Sequence, residues 1–544
     1  MGFLKPTAPP YDPLAWEKLS FSERARQSCQ AWALQGYGTP LAIYLLYGIK
    51  VLLYVGGWLL FCSFTPGMGG LGSIASWWLE PIAFQKAILW NMLFEGLGLG
   101  CGSGPLTGRF FPPIGGFLYF LRPGTTKHPL FPGLPLLGGF RRTWLEALLY
   151  AAWIGVLLAA LMSAQVSTGL FIAIAALVAV LGITDKTVFL AVRAEHYWTT
   201  VMVFALATDW IPGAKAVQLA LWFWAGVSKL NHHFASVVCV MVSNSPFTRF
   251  DWLRKLFYRR YPDDLRPSRL AVIAEGGTLL EFAVPILLLL GNGGTVTIVG
   301  LVCMVFLHAY ITSNVPMGVP IEWNVMMLYG GFFLFWKNAA VGLLSMSVPV
   351  AAFLVVMLII VPLLGNLIPS RISFLMAMRY YAGNWAHSVW LFRGESYKKL
   401  ERLKKSSPWV VDQLLRIGYD RSAAMAVVSK LMGFRLMHLH GRVHSMLVPR
   451  AVDRFEDYVW VEGEFMAGMV LGYNFGDGHL HKEELLQAVQ EQCGFEDGEL
   501  RVIFVEAQPL GQSTLHWRIA DARTGVREQG HVDVKDLLDR APWG

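Results

Sequence analysis

The sequence predicts a polytopic α-helical membrane protein, about ten transmembrane helices followed by a small C-terminal cytoplasmic α+β domain. Three observations carry that reading. Hydrophobic residues are 55% of the 544 and charged residues only 15%, with 21 Trp and 34 Phe, which is too apolar for a water-soluble globule of this size. The apolar residues gather in blocks approaching the roughly 20 helical residues that cross a hydrocarbon core. From Pro408 onward the blocks stop and ordinary soluble sequence begins.

The blocks cover 41–63, 84–100, 143–165, 167–184, 196–212, 214–240, 269–291, 294–314, 321–337 and 340–366. They divide the chain into an N-terminal arm (1–40), a transmembrane domain (41–368), a basic juxtamembrane segment (369–407) and a soluble α+β domain (408–544). The arm starts polar, without an apolar h-region, so no signal peptide is expected. Lys and Arg accumulate at Arg141-Arg142, at Lys186 and Arg193, over Arg254 to Arg260, and over Arg371 to Lys405. With ten helices all of these share one side with Arg24 and Arg26, and the positive-inside bias puts both termini in the cytoplasm. The formal net charge is +8. Its cations flank apolar blocks, a pattern that suits anionic lipid and excludes a nucleic-acid footprint. Six cysteines without a C-x-x-C pair support neither a disulfide framework nor a zinc ribbon.

Between the second and third blocks, Gly102 to Phe140 is rich in Gly, Pro and aromatic residues. It fits either a re-entrant or interfacial flap or an ordinary surface loop. In the soluble domain, Tyr458–Glu462, Arg501–Val505 and Leu515–Ile519 read as strands and Lys482–Cys493 as a helix.

Ionisable residues inside the apolar blocks include Lys50, Glu95, His196, Asp209, Lys229, His232, His233, Glu281 and His308. A lysine at a helix centre costs roughly 3 kcal/mol on insertion scales, so such residues mark functional sites by default. Mutual pairing, Lys50 with Glu95 and Lys229 with Glu281, is the structural alternative. Lys229 stands out, because His232 and His233 follow at i+3 and i+4 on one helical face and a lysine stripped of water can offer a neutral amine as a general base. Lys229 is therefore the catalytic candidate that the residues themselves single out. Asp209, Asn231, His232, His233 and Glu281 are further pocket candidates. The spacings His438-x-His440-x3-His444 and His479-x-His481 could serve a metal, but no clear carboxylate or thiol accompanies them and no metal site is assigned.

The run Ala225-Gly-Val-Ser-Lys-Leu-Asn-His-His-Phe234 resembles the A-G-x-x-K-L-[DN]-x-x-[WF] segment of the vitamin K-dependent γ-glutamyl carboxylase superfamily, the HTTM membrane domain. Glu195-His-Tyr-Trp198 with Asp209-Trp210, Ser245-Pro-Phe247, and Phe306-Leu-His308 through Asn314 and Met317-Gly318 to Asn324-Val-Met-Met327 are similar to further segments of that family in the same order. The resemblance covers roughly residues 40 to 340. It implies an intramembrane pocket in which Lys229 deprotonates a reduced quinone, with His196 and His308 in the same pocket as the further catalytic candidates. As a whole the chain also resembles the uncharacterised bacterial membrane proteins grouped as DUF3556, through Met1-Gly-Phe-Leu4, Leu471 to His481 and Gln492 to Val502. That resemblance implies a bacterial inner membrane and brings no activity.

Two function classes follow. One is an intramembrane enzyme acting on a hydrophobic substrate such as a quinol or lipid. The other is a non-catalytic lipid-binding, transport or complex-assembly protein. The partners expected are membrane lipids, a hydrophobic small molecule, and a protein docking through the C-terminal domain.

Overall fold

The computed structural model describes residues 2–100, 117–135, 137–314, 320–372, 379–473 and 478–544. Residues 102–116 and 136 of the expected flap, with Met317-Gly318 and Asn474 to Asp477, lie outside the described residues. Among those described, five helices are long and apolar enough to cross a membrane: Leu41–Cys62, Trp144–Met162, Arg269–Leu290, Thr295–Thr312 and Val348–Leu367. The ten expected spans are not all found among the described residues. The remaining apolar blocks fold as shorter or less apolar helices, and Pro81–Gly96, Ala194–Leu206, Ile211–Ser228, Phe234–Asn244 and Ile321–Gly331 are largely buried. An inner helix meets protein rather than lipid, so it can be short and polar; Pro81–Gly96 buries Lys86, Asn91 and Glu95.

The block 214–240 is two helices, not one. Ile211–Ser228 ends with Lys229 as its C-cap, and Phe234–Asn244 starts after His233. Asn231 turns the chain between them: its amide donates to the Ser228 carbonyl and its Oδ1 accepts from the His233 N–H at 2.7 Å. This is the local side-chain bonding that makes Asn a helix breaker.

Several cations that look like topology markers are buried ion pairs. Arg142 pairs with Asp185, and Arg193 with Glu95. The expected Lys50–Glu95 pair is not formed; Lys50 Nζ instead donates to the Gly100 carbonyl at 2.6 Å and lies 3.9 Å from Glu322.

The C-terminal region is built on a five-stranded antiparallel sheet of order β4-β3-β5-β6-β7. Its strands are β3 (His387–Arg393), β4 (Tyr458–Glu462), β5 (Leu500–Val505), β6 (Thr514–Asp521) and β7 (Gly525–Asp533), while β1 (Tyr258–Arg260) and β2 (Asp264–Pro267) form a separate hairpin. Strands β4, β5 and β6 coincide with the expected ones. β3 lies ahead of residue 408, in the segment expected to be juxtamembrane, and is buried along six of its seven residues. A central strand covered on both faces shows no alternation to read.

The N-terminal arm is clamped to this region. Helix Phe21–Gln35 lies along Arg421–Met437 so closely that a Cβ on Gly433 would sit 2.4 Å from the Ser28 carbonyl oxygen. Tyr11 Oη donates to Ser429 Oγ at 2.9 Å, and Arg421 holds both Glu17 carboxylate oxygens at 2.8 and 2.9 Å. One continuous apolar core runs from the helical bundle into the sheet region.

Candidate functional site

A cavity of about 340 Å³ lies where the Lys229 turn, the hairpin formed by Arg269–Leu290 and Thr295–Thr312, and helix Ile321–Gly331 meet the C-terminal region. That volume is at the small-molecule end of ligand pockets. Its walls are chiefly apolar, including Trp222, Phe234, Phe306, Trp323, Trp385 and Phe434.

One buried ion pair is set into this wall. Lys229 Nζ donates to both oxygens of Glu281, at 2.8 and 2.7 Å, and to the Ala225 carbonyl at 3.2 Å. The two side chains are only 9% and 7% exposed. Lys229 reaches the cavity because it caps its helix and turns back along it, and Glu281 lies in the first turn of Thr278–Leu290.

His308 lines the cavity beside the pair. Trp222 Nε1 donates to His308 Nε2 at 2.9 Å, so Nε2 is an acceptor, and Nδ1–H donates to Asn324 Oδ1 at 2.7 Å. The Asn324 amide is held in turn by the Pro320 carbonyl at 2.8 Å. This network fixes a neutral imidazole in one tautomer. Two other cavity-lining groups, Thr278 Oγ1 and Asn314 Oδ1, are buried with no hydrogen-bond partner among the described residues.

The C-terminal region supplies the remaining polar wall. His438 Nδ1 donates to the Phe434 carbonyl at 2.8 Å, leaving Nε2 as the nitrogen with a lone pair, and its ring meets Trp385 edge-on at 5.2 Å. Burial pushes the His438 imidazole down to about 3, so it is neutral at physiological pH.

The other expected site residues are dispersed. His196 is buried behind the cavity wall, with Nδ1 accepting from Trp323 Nε1 at 2.9 Å. Asp209 is exposed in the loop before Ile211–Ser228, away from the cavity, and His232 is exposed. Asn231 makes the turn described above. His233 faces the C-terminal region, stacked on His440 at 4.8 Å with Nε2 2.8 Å from Gln508 Oε1. Its i+4 spacing from Lys229 brings nothing together, because the helix has already ended.

Sequence reasoning missed Thr278, Asn314 and the pairing of Trp222 and Asn324 with His308. His438 is visible in the sequence only through a spacing that suits a metal. His440 and His444 join His387 in a stacked group, with centroid separations of 5.7 and 4.5 Å from His387. Among the described residues no group of three or more His, Cys, Asp or Glu is arranged to hold a metal ion.

No curated protein and no solved structure matches this chain. The carboxylase resemblance over residues 40 to 340 gains no support from these comparisons. A match to one protein family extends over residues 1–544. The helices long enough to cross a membrane agree with its description, and the chain belongs to the family of transmembrane proteins of unknown function, DUF3556.

Proposed function

We propose that the cavity binds an amphipathic, bilayer-dissolved molecule, a lipid or a quinol, without transforming it. Its polar head meets Lys229–Glu281, His308 and His438, and its apolar body lies among the aromatic walls. The observation that carries this reading is the position of the rim. Ala274 and Gly277 on one side, and Phe306 and Tyr310 on the other, line the cavity and are also exposed on the outer surface, Phe306 by 64% and Tyr310 by 48%. An opening framed by outward-facing apolar residues admits a ligand from the acyl-chain region.

The buried oxygens of Thr278 and Asn314 support the same reading, since each costs about 1–3 kcal/mol unless it is hydrogen-bonded. A head group carrying hydroxyl or carbonyl oxygens suits these atoms, the Lys229 ammonium and the His438 lone pair.

The catalytic alternative keeps Lys229 as a general base, with a reduced quinone as substrate. It requires Glu281 to take the lysine proton first, because an ammonium donating to a carboxylate has no lone pair with which to abstract a proton. The direct contacts between the N-terminal arm and the C-terminal region support both termini lying on one side. With the basic loops, we assign that side to the cytoplasm of a bacterial inner membrane. A protein partner would dock on the C-terminal region.

The test is extraction of the intact protein in mild detergent and mass spectrometry of retained molecules. A stoichiometric lipid or quinone in wild type, depleted in Lys229→Ala and retained in Lys229→Arg, is expected. Arg keeps the charge but cannot act as a base. Turnover of the retained molecule by wild type and its loss in Lys229→Arg would instead establish the catalytic alternative.

A further inference from the structure

A second concavity shares no lining residue with the first. It is a cleft of about 740 Å³ between the turn after helix Phe117–Phe120 and the segment 397–416. Arg122 enters from the turn, and Lys398, Arg402, Lys404, Lys405 and Arg416 enter from the segment. Two carboxylates, Glu401 and Asp412, accompany these six cations, and Glu401 is already engaged by Lys405.

Parts of this cleft are braced. Lys404 Nζ donates to the Pro123 carbonyl at 3.1 Å and ties the two walls together, while Arg402 donates to the Cys493 carbonyl. Tyr397 stacks on Trp409 at 4.6 Å, and Gln413 Nε2 reaches Ser407 Oγ at 3.4 Å. Lys398 pairs with the exposed Glu395 outside the lining. The Arg122 guanidinium has no hydrogen-bond or ion-pair partner among the described residues.

The six cations outnumber the two carboxylates of the lining, and the concavity focuses the field of that excess positive charge. The arrangement is relieved by a compact ligand of high negative charge, and guanidinium groups match phosphate oxygens in bidentate geometry. A single rounded cleft suits one small group better than an extended polymer, which would need a stripe of cations with stacking aromatics.

We propose that this cleft is a binding site for a multiply charged phosphate group, a diphosphate or phosphomonoester, carried either on a water-soluble compound or on a lipid head. The juxtaposition of Arg122 with Lys398 and Arg416, nearly 300 positions apart in the chain, creates the site.

Isothermal titration of the full-length protein in detergent with inorganic pyrophosphate tests it. Wild type and the control Lys535→Gln/Arg540→Gln should bind alike. Arg122→Gln/Lys398→Gln should bind about tenfold or more weakly, because each lost charge-assisted contact weakens binding severalfold and the two factors multiply. Arg122→Gln alone, expected to weaken binding severalfold, keeps the test open should the double variant unfold. Nanodiscs containing phosphatidic acid that block pyrophosphate binding would identify a lipid head as the source, and undiminished binding would identify a soluble phosphate compound. No binding by folded wild type, or equal affinity in wild type and the cleft variants, would overturn the proposal.

Discussion

Replacing either member of the Lys229–Glu281 pair should destabilise the protein at least as much as replacing both. At 2.7 Å two unit charges attract by about 6 kcal/mol in an effective dielectric of 20. Desolvation of two side chains less than a tenth exposed offsets most of that gain. Lys229→Met leaves a buried carboxylate and Glu281→Leu a buried ammonium, and each should cost about 3–5 kcal/mol. The double variant removes both charges from an apolar wall, so its loss should be no larger than that of either single change. The assay is a double-mutant cycle on unfolding in detergent micelles, followed by tryptophan fluorescence, with at least about 2 kcal/mol of coupling expected. Additive losses, or single variants within about 0.5 kcal/mol of wild type, would refute the argument, because both outcomes require solvent to screen the pair.

Ala274→Trp, at the exposed rim of the cavity, should lower the amount of co-extracted lipid or quinone while leaving the thermal midpoint near wild type; undiminished ligand would place the entrance elsewhere. Acidification should unfold the C-terminal region, because burial holds His438, His440 and His444 down to about 3. The unfolded chain takes up those protons near the ordinary value of 6.5, so stability falls as pH drops from about 6.5 toward 3, by up to about 1.4 kcal/mol per pH unit for each histidine. A near-ultraviolet circular dichroism signal unchanged down to pH 4 would contradict this. Burial likewise lowers Lys430 from 10.5 to about 7, so the native state gains stability between pH 7 and 10.5, where only the unfolded chain keeps that proton. Lys430 touches the Thr7 and Tyr37 carbonyls, and Lys430→Met should flatten this dependence in a limited-proteolysis assay of the N-terminal arm.

How far the site could be read in advance differs residue by residue. Lys229, Glu281 and His308 were legible because a charged or imidazole side chain in an apolar block is costly wherever it folds. His233 and His232 looked equivalent to them, yet the turn made by Asn231 sends one toward the C-terminal region and leaves the other exposed. Asp209 carried the same signal and lies in a loop outside the cavity. His438 was visible only as part of a histidine spacing, since nothing local tells that Phe434 and His438 close a cavity begun some two hundred residues earlier.

Composition and hydropathy by themselves determined that this chain is built around apolar helices, where its soluble strands β4 to β6 fall, and which buried charges need an explanation. These are additive properties of short windows, set by transfer free energy and backbone periodicity. Tertiary structure alone decided how many helices face outward, that β3 belongs to the sheet, that Glu95 pairs with Arg193 rather than Lys50, and that the C-terminal region roofs the cavity. Those outcomes depend on which of several similar partners comes within a few ångströms, and only packing of the whole chain selects among them.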